Sequence, residues 1–205
     1  MRVKGAIAVR VIAGEAKGRT LKAVPGMNTR PTTDKVKEAI FSMIGPYFDG
    51  GMALDLFAGT GGLGIEAWSR GVEHTVFIDR EKISIDIIRQ NVQTANMGSA
   101  AEIYRNDAER ALKALAKRGQ KFRLVFLDPP YKMITMDSLM AQLAANQMLE
   151  PEAIIVVEHD AAHRYPEQLE HFDQLKHAKY GDTAVSIYQY ISSDSPDGSE
   201  VNVNE

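Results

Sequence analysis

Four consecutive residues, Asp128-Pro129-Pro130-Tyr131, carry the strongest chemical signal in this 205-residue sequence. They follow the apolar run Leu124-Val125-Phe126-Leu127, which reads as a buried strand. The box therefore falls at a strand's carboxyl end, where open α/β sheets bind ligands. Each proline fixes its own φ and restricts the residue before it, so the loop is stiff and the Asp128 carboxylate is aimed in one direction. Asp128 and the Pro129 carbonyl together offer acceptors for the two N–H groups of an exocyclic amine, and the Tyr131 ring offers a stacking surface for the base that carries it. The competing reading is a plain turn after a strand.

A second constellation runs from Asp55 through Phe57, Gly59, Gly61 and Gly64 into a helix-length segment, and Asp79 ends the next strand 20 residues after Gly59. Glycines at these positions with an acid at that distance fit a nicotinamide dinucleotide, whose ribose the acid would hold. They fit S-adenosylmethionine equally well, because it presents the same adenosine ribose. Asp55 separates the two, since it would repel a pyrophosphate but attract an α-ammonium. No Gly-Lys-Ser/Thr follows, which excludes a P-loop. Phe57, Arg80 and Ala108 adjoin these residues and are assigned to the same cofactor site. Asp107, before Ala108, reads both as a contact for the adenine amine and as a helix cap. The sequence from Asp55 to Gly61 resembles the first motif of class I methyltransferases, and the Asp-Pro-Pro-Tyr box resembles that of their amino-methylating members.

Cysteine is absent, so carbon-5 pyrimidine methylation through a thiolate is excluded and attack by an exocyclic nitrogen is favoured. That reaction needs positioning more than acid-base power, and no metal is expected. His159 and His163, four apart, form a pair that reads as structural rather than metal-binding.

The formal net charge of −3 hides a polarity: residues 1–37 hold nine basic side chains against two acidic ones, a net of +7, leaving −10 on the other 168 residues. Arg10, Lys17, Arg19, Lys22 and Arg30, with Thr32, are the candidate RNA contacts in this basic head. A solvated basic hairpin with no partner is the alternative. No apolar run is long enough to span a membrane and no convincing signal peptide opens the chain, so a cytoplasmic protein is expected.

The elements that must position these residues alternate strand and helix. Strands are predicted at Met52–Phe57, His74–Asp79, Ala101–Asn106, Arg123–Asp128 and Ala153–His159. Helices are predicted at Gly62–Arg70, Glu81–Asn96 (with Ile83, Ile87, Ile88 and Val92 inward), Ala108–Lys117 and Thr135–Gln147. Gln174–Tyr180 and Thr183–Ile191, two residues apart, must form an antiparallel hairpin. The fold class is therefore α/β: a Rossmann-like, seven-stranded, mostly parallel sheet with a C-terminal antiparallel hairpin. A small β-hairpin (Ile7–Ile12 with Arg19–Val24) and a linking helix (Thr33–Ile44) precede it. Residues 1–33 read as the basic arm, 34–191 as the methyltransferase domain and 192–205 as a disordered acidic tail.

The head from Arg10 to Leu21, the turn Thr29-Arg30-Pro31-Thr32-Thr33-Asp34, the glycine loop and the Asp128 box occur in the order and spacing of the RsmD family of bacterial 16S rRNA guanine-N2 methyltransferases, which residues 10–191 resemble. The resemblance implies S-adenosylmethionine as donor and an activity of EC class 2.1.1, of the guanine-966 N2 type. It further implies 16S rRNA, in the 30S subunit or an assembly intermediate, as partner; a monomer that binds neither membrane nor metal is expected. A DNA adenine-N6 methylase shares the box, but the chain lacks room for a target-recognition domain. A nicotinamide oxidoreductase leaves Asp55 and the box without roles, and a silent RNA-binding module leaves both motifs idle.

Overall fold

The protein is described from a computed structural model that covers residues 9–25, 34–129 and 136–192. A short antiparallel ribbon, β1 (Val9–Arg10) with β2 (Thr20–Leu21), opens the described chain and is followed by α1 (Asp34–Ile44). Strand and helix then alternate as β3 (Met52–Asp55), α2 (Gly62–Ser69), β4 (His74–Asp79), α3 (Lys82–Ala95), β5 (Ala101–Arg105), α4 (Ala108–Ala116), β6 (Phe122–Leu127), α5 (Met136–Ala145) and β7 (Leu149–Asp160). Three antiparallel strands close the chain: β8 (Gln168–Leu169), β9 (Phe172–Tyr180) and β10 (Thr183–Tyr190).

The sheet runs β5-β4-β3-β6-β7-β10-β9-β8, with β5 through β7 mutually parallel and β10 antiparallel to β7 and β9. This is the expected mostly parallel, Rossmann-like architecture with a terminal hairpin. It has eight strands rather than seven, because β8 folds back on β9 across Glu170-His171, with His171 in the left-handed region at φ 68. The head ribbon is shorter than expected. Beyond Arg10, the N–H groups of Ile12 and Ala13 turn to a side-chain carboxylate of α2 instead of pairing with a strand. Ile7 and Ala8 lie outside the described residues.

Alternation along each strand divides the core between the two sheet faces. One face carries Leu54, Val76, Ile78, Val125, Leu127, Ile155 and Val157 against α4 and α5. The other carries Ala53, Phe77, Leu124, Phe126 and Val156 against α1, α2, α3 and the head residues Val9, Val11 and Leu21. On α3 the buried side includes Ile85, Ile87, Ile88, Asn91, Val92 and Ala95. Ile83 was expected there but is 44% exposed, whereas its neighbours Ser84 and Ile85 are buried: at about 100° per residue Ile83 falls on the flank turned away from the side centred on Ile88.

Gly64 sets how closely α2 packs: a Cβ there would lie 2.4 Å from the Phe77 ring and 2.9 Å from Thr75 Cγ2. Helix α2 therefore lies against β4 as no larger residue would allow. Among the described residues no helix is long and apolar enough to cross a membrane.

Candidate active site

Strands β3, β4, β6 and β7 all end at the same edge of the sheet, and each ends on or beside an acid. Asp55 and Asp79 are the last residues of β3 and β4, Glu158 lies two residues before the end of β7, and Asp128 directly follows β6. The pairing of Asp55 with Phe126, and of Leu127 with Val157, sets Asp128 between Asp55 and Glu158. Asp55 is 2% exposed, and its Oδ2 accepts the Gly64 N–H at 3.0 Å. Burial, opposed by that hydrogen bond and reinforced by Asp79, pushes its pKa up to about 7. Burial, then Glu158 and Asp55, hold the Asp128 pKa well above the ordinary carboxylate range. Like charges packed this closely resist joint ionisation and favour a cationic or N–H-bearing ligand between them.

The glycine loop is held from below. Asp79 Oδ2 accepts the Gly59 N–H at 2.9 Å and Oδ1 accepts the Glu81 N–H at 2.8 Å. Ala58 N–H donates to the Ile78 carbonyl at 2.9 Å, and Leu56 N–H to the Phe126 carbonyl at 3.1 Å. Gly59 and Gly61 adopt φ of 54 and 76, which side chains with a Cβ resist. A Cβ at Gly59 would find only the Phe57 carbonyl, 3.9 Å away, so the loop presents backbone to an open cradle. Backbone cradle, buried cation-seeking acid and a second acid at the next strand's tip together fit the methionine and ribose ends of S-adenosylmethionine. An aspartate uses two of its roughly four acceptor positions in two N–H bonds, which leaves Asp79 capacity for hydroxyls.

The remaining predicted residues divide. Phe57 is half-buried against the α4/α5 core. Ala108 is buried in that core, and Asp107 caps α4 by accepting the Glu109 N–H at 3.1 Å. Arg80 is exposed beside the loop, with its Nε 3.0 Å from Glu81. Pro129 is buried. Pro130, Tyr131, Arg30 and Thr32 lie outside the described residues. Arg10, Lys17, Arg19 and Lys22 are exposed on the head; Arg10 pairs with Asp34 at 2.5 Å and Arg19 donates to the Thr94 carbonyl. His159 belongs to a buried network: Nδ1 meets the Asp160 carbonyl at 2.9 Å and Nε2 meets Ser186 Oγ at 3.0 Å, which also meets His177.

Three residues that pattern reading passed over join the head to the site. Glu66, fully buried in α2, accepts the N–H groups of Ile12 at 2.8 Å and Ala13 at 3.0 Å and pairs with Arg70 at 2.8 Å and Lys37 at 3.3 Å. Ser69 Oγ accepts from Ala16 N–H at 2.9 Å and donates to the Ala13 carbonyl at 2.6 Å. Asn91, fully buried in α3, accepts the Lys22 N–H at 2.7 Å and donates to the Lys22 carbonyl at 3.0 Å and the Thr60 carbonyl at 2.8 Å. One amide thus ties the basic head to the glycine loop. Glu158 is the fourth omission; an acid directly after the apolar run Ile154-Ile155-Val156-Val157 was its only signal.

A family model described as Conserved hypothetical protein 95 matches residues 9–189. The "Putative rRNA methyltransferase YlbH" of Bacillus subtilis is 54% identical over 88% of this chain and 98% of its own. The "Ribosomal RNA small subunit methyltransferase D" of Escherichia coli is 30% identical over 88% of this chain and 89% of its own. Among solved structures, the "Putative methyltransferase yhhF" of Escherichia coli superposes with a TM-score of 0.75 at 31% identity, covering 90% of this chain and 99% of that one. A family match over nearly all described residues, and relatives covered along most of their length, agree with the order of motifs at the sheet edge: the chain belongs to the RsmD family of methyltransferases.

Proposed function

We propose that this chain transfers a methyl group from S-adenosylmethionine to the exocyclic N2 of a guanine in 16S rRNA, within EC class 2.1.1 and of the guanine-966 type. The observation that carries the reading is the adjacency of β3 and β6, which brings the cofactor cradle beside Asp128. The rRNA methyltransferase names of the relatives support RNA over DNA as substrate. A nicotinamide cofactor would set a pyrophosphate near Asp55, the most buried acid of the edge.

Asp55 holds the α-ammonium, Gly59 and Gly61 pack backbone against the ligand, Asp79 takes the ribose hydroxyls, and Asp107 with Ala108 meets the adenine. Phe57 and Arg80 flank the pocket. When bound, S-adenosylmethionine supplies an electrophilic methyl group on sulfur. Asp128 and the Pro129 carbonyl accept the amine's N–H groups and turn its lone pair toward that methyl, Pro130 stiffens the loop and Tyr131 stacks on the base. The amine loses its proton after forming the new N–C bond, and the raised pKa of Asp128 suits it to take that proton. Arg10, Lys17, Arg19, Lys22, Arg30 and Thr32 hold RNA. Residues 1–33 act as the RNA arm and 34–191 as the catalytic domain, followed by the acidic segment 192–205. A monomer acting in the cytoplasm on the 30S subunit or its precursor completes the reading, without metal or membrane.

Nucleoside mass analysis of 16S rRNA from a deletion strain tests it. N2-methylguanosine is expected to fall and to return on complementation, and an unchanged profile would refute it.

Asp55 adds a pH signature to cofactor binding. Its raised pKa means that below about pH 7 the free protein holds it neutral, and a neutral acid cannot pair with a cation. Affinity should therefore rise about tenfold per pH unit up to about 7, then decline above roughly pH 8 as an α-ammonium of ordinary pKa deprotonates. Titration calorimetry between pH 5.5 and 9 reads this curve, and Asp55→Asn should flatten its acidic limb.

A further inference from the structure

On the sheet face away from the head, a cleft of about 360 Å³ opens between the edge strand β5 and α4. Tyr104, Arg105, Asn106, Ala111, Ala114 and Arg118 line it, and none of the residues assigned above to cofactor or target base does. Ala111 and Ala114 are the small residues that leave the space. Tyr104, on the edge strand, is 41% exposed. Arg118 grips the Glu102 carboxylate through both terminal nitrogens, at 2.7 and 3.2 Å, and its guanidinium carbon stands 5.9 Å from the Tyr104 ring centre. Glu102 also accepts the Tyr104 hydroxyl and meets His74 at 3.0 Å, and these partners, Arg118 foremost, hold its pKa down at about 2 against the opposing effect of burial. With its N–H edge occupied, Arg118 offers a fixed flat face rather than a free charge.

Free positive charge lies alongside. Residues 105–123 hold seven basic side chains and two acidic ones, a net of +5 inside a body whose total is −10. Arg110, Lys113 and Lys117 are exposed and recur at helical spacing, one residue round the helix from the Ala111, Ala114 and Arg118 side that lines the cleft. Arg105 stands at the rim, its Nε 3.0 Å from the Arg80 carbonyl. A flat aromatic and a flat guanidinium within a cleft, bordered by a cationic stripe, is the chemistry that holds a single-stranded nucleotide: base on the flat groups, phosphates on the stripe.

We propose that the β5–α4 cleft is a second RNA contact, which takes one unpaired nucleotide of the substrate RNA at a distance from the target guanine. This rests on the methyltransferase reading above, but it fails separately from it.

The test uses the full chain saturated with S-adenosylhomocysteine and a fluorescein-labelled RNA hairpin carrying single-stranded flanks, read by anisotropy at several salt concentrations. Tyr104→Ala removes the stacking surface, and Ala114→Leu fills the cleft with a good helix former and no change of charge. Each is expected to weaken RNA binding roughly 5- to 100-fold. S-adenosylmethionine affinity should not change, and Lys113→Glu should lower the salt slope by about one to two. RNA affinity at the wild-type level in both Tyr104→Ala and Ala114→Leu would overturn the proposal; should Tyr104→Ala fail to fold, Ala114→Leu alone decides. Displacement of the RNA by AMP at equal affinity would also overturn it, by making the cleft a free mononucleotide site. The methyltransferase reading fails instead if the wild-type chain binds this RNA yet transfers no methyl to small-subunit rRNA.

Discussion

Replacing Asp128 with alanine is expected to slow methyl transfer on the order of 10²–10³-fold, while the affinity for S-adenosylmethionine changes by no more than about twofold. The separation follows from geometry. Asp128 directly follows β6, one strand away from the glycine loop, and the contacts that hold that loop come from Asp79 and from backbone groups of β4 and β6. None of them is lost in the variant. What is lost is the acceptor that orients the amine, and an orientation error appears in the chemical step rather than in cofactor binding. Asp128→Asn divides the two roles of the carboxylate, because the amide oxygen still accepts an N–H but cannot take a proton near neutral pH. At saturating cofactor, the wild-type rate should rise with pH through the elevated Asp128 pKa, since the protonated acid is a poor acceptor. In Asp128→Asn that limb should vanish. Single-turnover kinetics read both effects, and a wild-type rate in Asp128→Ala would remove Asp128 from the site.

The raised acids also have a cost, with a definite sign. A carboxyl whose pKa is higher folded than unfolded stabilises the fold at low pH and loses that contribution as pH rises through its folded value. For Asp55 this window runs from the ordinary aspartate range up to about 7. The free protein should therefore gain more from a cationic ligand at pH 8 than at pH 6, and the edge of the sheet trades stability for binding.

Strand positions, the terminal hairpin and the acids at the tips of β3 and β4 were legible because each follows from local periodicity or from a short motif with one mechanical purpose. The β8 strand was not legible, because two residues, Gln168 and Leu169, carry no period. Glu66, Ser69 and Asn91 were passed over for a different reason. A polar residue in a helix reads as solvent-facing until its partners are known, and here the partners are backbone groups of the head, 53 to 69 positions away in the chain. Net charge misled in the same way: a body of −10 concealed the basic stripe of α4, which only the fold separates from the acids of the sheet edge.

Glu66→Ala should be the most damaging substitution outside the site, with a loss of about 3–5 kcal/mol and a fall in Tm of roughly 6–20 °C for a chain of this size. Two cations, Lys37 at 1% exposure and Arg70 at 6%, lose their shared counter-charge, and the Ile12 and Ala13 N–H groups lose their acceptor. Exposed pairs such as Arg164 with Glu167 belong to a class worth about 0–1 kcal/mol, so burial sets the difference. Burial already lowers the Lys37 pKa, with Glu66 the chief opposing influence, so removing the acid makes its charged form less favourable still. Glu66→Gln keeps an acceptor for one N–H but sets an amide donor among donors, and should fall between alanine and wild type. Adding Lys37→Met to Glu66→Ala should recover part of the loss, because it withdraws a stranded charge; a double variant no more stable than the single would show that hydrogen bonds to the head, rather than charge, dominate. Hydrogen exchange at Ile12 and Ala13 supplies the functional link. Those amides should lose protection in Glu66→Ala below the temperature at which the sheet melts, and RNA affinity should fall with them. A variant that melts within a degree or two of wild type would mean that the apolar contacts of Val9, Val11 and Leu21 hold the head without the clasp.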